Sequence, residues 1–228
     1  MLTRRASRLR ELMEDQGCDP EKLSRTYGQL APINRLFSRW RKTYRRHLRP
    51  LLVDPSHVYT VLDIGAGGGD IPLSLLGWAQ ADGFKMKITA IDPDDRALAF
   101  ASRRESPDGL QFLQASARDM AEQGLSFDFL ISNHLLHHLD EGAFRDMLDD
   151  ADALASRLIV FSDIARSALA YLLFGLLTRP FFHGSFIVHD GLVSIRRSYT
   201  ARELRARVPS GWEVHTLCPY RLLLIRRK

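Results

Sequence analysis

Val61-Leu62-Asp63-Ile64-Gly65-Ala66-Gly67-Gly68-Gly69-Asp70 reads as an apolar strand that runs into a glycine-rich turn and opens a helix. Val61 to Ile64, preceded by Tyr59-Thr60, has the apolar and β-branched character of a buried strand. The glycines let the backbone turn sharply and bring bare amides against a ligand at a helix N-terminus. A dinucleotide loop carries a third glycine three residues after the second. Here that place is Asp70, so the spacing is Gly-x-Gly-x-Gly, with Asp63 at the strand end before it. Flanking carboxylates suit a neutral or cationic nucleoside better than a pyrophosphate.

Outward from this stretch the chain alternates strands and helices. Strands are expected at 59–64, 85–91, 110–114, 127–132 and 157–162, and helices at 70–79, 96–103 and 142–155. Such alternation implies right-handed βαβ crossovers and a mostly parallel sheet. A helix at 201–208 and two closing strands, 212–217 and 221–225, bring an antiparallel strand to the sheet edge. The fold class is therefore α/β, a Rossmann-like doubly wound sheet of seven strands with an antiparallel edge strand. Residues 1–53 form an N-terminal helical extension and 54–228 the main domain. Asp19-Pro20 starts one helix and Pro32 a second, on which Ile33, Phe37, Trp40, Tyr44 and Leu48 make one apolar stripe.

With 228 residues the chain can bury a real core. Cys18 and Cys218 have no metal or disulfide spacing, which fits a reducing, cytoplasmic setting. The basic start at Met1 is followed by no signal core, and the longest apolar run, 168–177, is too short to span a bilayer. The net charge of +5 comes largely from arginines before residue 50. Without a nucleic-acid motif, these read as a solvated helix face, and no nucleic-acid partner is expected.

In doubly wound sheets ligands bind beyond the carboxyl ends of the strands. The second strand ends at Asp92-Pro93, 27 residues after Gly65, where a carboxylate can accept both ribose hydroxyls. Capping of the next helix is the competing role for Asp92, and Asp94 or Asp95 can fill it. The fourth strand ends in Asn133-His134-Leu135-Leu136-His137-His138. A histidine of near-neutral pKa there can take a proton from a hydroxyl, but two adjacent side chains cannot both enter one pocket. The fifth strand ends at Asp163, which either faces the same mouth or caps a helix starting at Ile164. No metal site is expected, since these histidines lack further ligands in a recognised pattern.

From Asp63 through Asp163 the chain resembles class I S-adenosylmethionine (SAM)-dependent methyltransferases. Arg25-Thr26-Tyr27, Ile33–Arg41, Gly67–Pro72, His137–Leu139 and His189–Leu204 narrow the likeness to small-molecule methyltransferases of natural-product type. The resemblance implies SAM as cofactor and S-adenosylhomocysteine (SAH) as product. It assigns the cofactor to Asp63, Gly65, Ala66, Gly67, Gly69, Asp70, Asp92, Pro93, Asn133 and His134. Ser116 stands where many relatives place an adenine-binding Asp, with the Ala117 amide beside it. His137, in preference to His138, would act with Asp163 as catalytic base. Residues 167–197 would form an acceptor lid, with Tyr27, Arg166, Tyr171, Phe182, His183 and His189 as acceptor-binding residues. The implied reaction is O-methylation of a hydrophobic phenolic, enolic or polyketide-like acceptor. An RNA or protein methyltransferase and a nonenzymatic SAM-binding module are the alternatives. No integral membrane association is expected, and a homodimer is left open.

Overall fold

The computed structural model describes residues 2–103 and 105–228; Met1, the first residue of the expected extension, lies outside them. Before the sheet come a 3-10 turn at Leu12–Glu14, α1 (Pro20–Ile33), α2 (Trp40–Thr43) and a second 3-10 turn at Arg49–Leu51. The sheet region runs β1 (Val58–Ile64), α3 (Asp70–Ala81), β2 (Lys85–Asp92), α4 (Asp95–Ala101), β3 (Leu110–Gln114), α5 (Ala117–Glu122), β4 (Phe127–Asn133), α6 (Glu141–Leu154) and β5 (Ala155–Ile164). After β5 come α7 (Ala168–Thr178), α8 (Ile187–Arg197), α9 (Ala201–Arg205), β6 (Trp212–Leu217) and β7 (Arg221–Arg227).

The strand order is β3-β2-β1-β4-β5-β7-β6. Strands β1 to β5 pair in parallel, whereas β7 is antiparallel to both β5 and β6. The reversed strand thus sits one place in from the edge, covered by β6. Alternate strand residues point to opposite faces, which splits the core in two. Val61, Ile88, Phe129 and Val160 pack against α3 and the second half of the N-terminal segment. Leu62, Leu130, Ile159 and Phe161 pack against α6 and the Phe144–Leu148 stripe.

The stripe expected on one helix from Pro32 is divided. Pro32 lies inside α1, and the chain continues through a wide turn at Asn34–Ser38 before Arg39 takes a left-handed backbone, φ 61°. That reversal rotates the stripe. Trp40, Tyr44 and Leu48 are buried on the sheet, while Phe37 remains exposed and lines a cavity. Burial of each of these three side chains contributes about 2 kcal/mol or more. The β1 crossover reverses the topology between β1 and β4, so the carboxyl ends of β1, β2, β4 and β5 converge on one crevice.

Candidate active site

The crevice is a cavity of about 520 Å³. Its floor is the turn after β1. Gly65 and Ala66 donate their amides to the Ile91 carbonyl at 2.9 and 3.0 Å, which ties the turn to the end of β2. Asp92 accepts from the amides of Gly67 at 2.9 Å and Asp94 at 3.0 Å. Asp94, not Asp92, caps α4 by accepting from Arg96 N. Gly69 does not line the cavity; at φ 77° it passes so close to Phe112 that a Cβ would lie 2.5 Å from the ring. Its glycine is required by packing. Asp63, Asp70 and Asp92 all face the cavity with carboxyls raised above their usual range, burial being the main cause. Such a set favours a cation and hydroxyl donors over an anion.

The wall after β4 is fixed by a buried arginine that sequence reading missed. Arg221, on β7, donates to Asn133 Oδ1 and to Ser162 Oγ, each at 2.7 Å, and meets His134 Nε2 at 3.1 Å. Burial, then Arg221, drives His134 well below its usual pKa and keeps it neutral. Asn133 in turn reaches Asn34 Oδ1, and Asn34 donates to Asp70.

Beside this wall lies the histidine pair. His137 is buried, with Nδ1 2.7 Å from Asp163 Oδ1 and its backbone amide donating to Asp163 Oδ2 at 2.9 Å. Glu11 Oε1 stands 3.3 Å from His137 Nε2, too oblique to count as a hydrogen bond, and accepts from Ser194 Oγ at 2.6 Å. Burial alone would lower the His137 pKa; Asp163 and Glu11 outweigh it and raise it to about 9. Both acids resist protonation in return. Burial would raise each, but the pairing holds Asp163 and Glu11 below the carboxylate range. His138 turns the other way, its Nδ1 2.6 Å from Glu14 Oε1, which also binds Arg197. The neighbouring side chains thus divide, as two adjacent residues must. Glu11, His137 and His138 bring three ligating atoms close enough to hold a metal ion, and so do His134, His137 and Asp163.

Glu11 and Glu14 come from the N-terminal segment, which by sequence is mainly a basic stretch. They and Asp15 are the acids among the first 18 residues, and that break in charge was the available signal. The segment is stitched over the site. Arg5 donates to the carbonyls of His137 and Leu139, each at 2.9 Å, and Asp190 accepts from the amides of Leu12 and Met13.

Several expected positions fall elsewhere. Ser116 is half-buried and spends its hydroxyl on a capping box with Asp119, while Ala117 is buried in the core beside Met120; neither lines the cavity. Arg166 is buried away from it, binding the Leu2 and Ser198 carbonyls and Glu203. Residues 167–197 do roof the cavity, but as α7 and α8, through Leu173, Phe174, Leu177, Ile187 and Asp190. Helical rotation leaves Tyr171 and His189 off the wall, the latter bound to Asp190, and Phe182 and His183 lie in the turn between α7 and α8, also off it. Of the expected acceptor-binding residues, Tyr27 lines it.

Residues 61–156 match the family described as a methyltransferase domain. No curated protein matches the chain. Among solved structures the fold is similar to the plantazolicin methyltransferase BpumL in complex with a triazolic desmethylPZN analogue and SAH, at 12% identity over 95% of this chain and 97% of that one, TM-score 0.62. It is also similar to a SAM-dependent methyltransferase from Aquifex aeolicus, at 17% identity over 91% and 97%, TM-score 0.56. Residues 61–156 are thus a methyltransferase domain, and that domain together with this sheet order supports a class I SAM-dependent methyltransferase.

Proposed function

We propose that the protein methylates an oxygen of a hydrophobic small molecule of phenolic, enolic or polyketide-like type. One observation carries this reading: the buried His137–Asp163 pair opens on the same apolar cavity as the glycine turn and Asp92. The residues present fit the cofactor, because three carboxyls, Asp63, Asp70 and Asp92, surround a turn whose Gly65 and Gly67 carry no side chain. Asp92 would take the ribose hydroxyls, and Asp63, Asp70, Pro93, Asn133 and His134 would complete its walls. SAM, when bound there, supplies a methyl group already activated on a sulfonium.

The protein's remaining tasks are to orient the acceptor, exclude water and remove a proton. Phe37, Leu173, Phe174 and Leu177 give the apolar surface that a flat acceptor needs. Asp163 holds the Nδ1 proton of His137, leaving Nε2 to take one from the acceptor hydroxyl. Glu11 stands at that nitrogen and must yield the position as the acceptor enters. Residues 1–53 act as a cap over the acceptor side. The unpaired cysteines, Cys18 and Cys218, fit a cytoplasmic enzyme.

Turnover should be measured as SAH released from SAM with a panel of phenols, enols and primary amines. Phenols or enols should be accepted, and His137→Ala should slow them by about 10²-fold or more. Methylation confined to amines, or a variant equal to wild type at every pH, would sink the proposal.

A further inference from the structure

The lid helix α7 is built the wrong way round for a surface helix. Leu169, Leu172, Leu173 and Leu176 recur at the i, i+3, i+4, i+7 spacing that marks a buried stripe, yet they face solvent. Leu172 is 66% and Leu176 67% exposed. The inward face of the helix is already occupied, with Ala170 buried and Phe174 against Gly191 of α8. Of these four, Leu169, Leu172 and Leu176 line no cavity wall. The stripe continues past the helix to Phe181, 76% exposed. Leu173 and Leu177 are exposed and also line the cavity, as does Phe37, so the stripe borders the cavity mouth.

The two segments that carry these exposed side chains bear charge of one sign. Between Asn34 and Arg49 there are seven Lys and Arg residues and no carboxylate. Arg35, Arg39, Arg41 and Lys42 are exposed beside Leu36 and Phe37. From Ile164 to His189 the lid also lacks any Asp or Glu, and exposed Arg179 closes α7. An apolar face rimmed by cations complements a bilayer surface bearing anionic headgroups, since the leucines enter the acyl boundary while the arginines stay at the phosphates. Eleven residues, about 16 Å of helix, are too short to cross the hydrocarbon but long enough to lie in its surface. Among the described residues no helix is long and apolar enough to cross a membrane.

We infer that α7 and the Arg35–Lys42 turn form a docking face for an anionic membrane surface, with the cavity mouth opening toward the lipid. Resting on the acceptor class proposed above, this makes the acceptor a bilayer-soluble amphiphile that enters from the leaflet. The docking itself stands on the surface alone and is tested without any acceptor.

The whole protein is floated with vesicles of phosphatidylcholine, or of phosphatidylcholine mixed with phosphatidylserine. Wild type should float with the anionic vesicles, less so as salt is raised. The double variant Leu172→Asp/Leu176→Asp should bind them at least about 100-fold more weakly. Those two side chains do not line the cavity, so SAH affinity and thermal midpoint should be unchanged. Arg35→Ser/Arg179→Ser should remove the preference for the anionic vesicles. Absence of wild-type flotation, or equal flotation of the leucine variant, overturns the inference. So does a vesicle-free dimer that the leucine substitutions disperse, which would assign the face to a second copy. None of these results bears on whether phenols are methylated.

Discussion

Replacing Glu11 by Gln should move the titration of His137 down by about one unit. In the folded protein the imidazole is raised from 6.5 to about 9, a preference for the charged form worth roughly 3 kcal/mol. Asp163 supplies most of it, through a 2.7 Å contact at Nδ1. Glu11, 3.3 Å from Nε2 and poorly aligned, supplies the smaller part, taken as about 1.4 kcal/mol or one unit. Glutamine keeps the shape and the Ser194 contact but carries no charge. At pH 7 the neutral fraction of His137 should then rise from about 1% to about 10%. A raised histidine pKa contributes stability that is fully present below about pH 6.5 and is lost as pH climbs through about 9. Glu11→Gln should therefore cost more at pH 6 than at pH 10. The assay is a ¹³C–¹H NMR titration of labelled histidine, paired with thermal melts at the two pH values. Asp163→Asn, with burial left nearly unopposed, should bring His137 to 6.5 or below. An unmoved midpoint in Glu11→Gln would refute the coupling, and with it the placement of the N-terminal segment over the site.

Removing the Asp92 carboxylate with Asp92→Ala should weaken SAH binding by about 10- to 100-fold, measured by calorimetry, because a charged hydrogen-bond acceptor and the Gly67 tether go together. Trp40→Ala should destabilise the fold by about 3–5 kcal/mol in denaturant titration while leaving the sheet order intact, since Trp40 is buried against the sheet core. Exhaustive chelation should leave SAH release unchanged; activity lost to a chelator and restored by one divalent ion would point to the two ligand clusters that share His137 and displace His137 as the base.

How much of this was legible depends on the range of the interaction. The turn at Gly65–Gly69 and the strand ends at Asp92, Asn133 and Asp163 are set by local pattern: an apolar run, then a break. Sheet topology does the rest, because parallel strands deliver their carboxyl ends to one side. Ser116 was misplaced because the capping box with Asp119 satisfies the hydroxyl locally, three residues away. In the lid, apolar residues on every face of 168–178 leave the rotation of the helix undetermined. The inward faces were settled by contacts with α8, such as Phe174 on Gly191, which no spacing within α7 encodes. Arg221 and Glu11 lie far along the chain from the groups they meet. Each looks like one more surface charge until the fold buries it.

That burial explains why the first eighteen residues matter to the chemistry. Asp163 without a cation would be a buried, costly carboxylate, and His137 without a second acid would sit nearer an ordinary pKa. The N-terminal segment changes both terms at once. Its Arg5 holds the backbone of the His137 loop, its Glu11 adds the second negative charge, and its Glu14 pulls His138 aside toward Arg197. Burial would raise Glu14, but His138 and Arg197 bring it down to about 2, so the Glu14 carboxylate stays charged at any working pH. Under the proposed function an acceptor hydroxyl displaces Glu11 from Nε2, which removes part of the field that keeps His137 protonated. On that reading the imidazole is then more often neutral and free to accept a proton as the site fills, so proton removal is coupled to occupancy through Glu11.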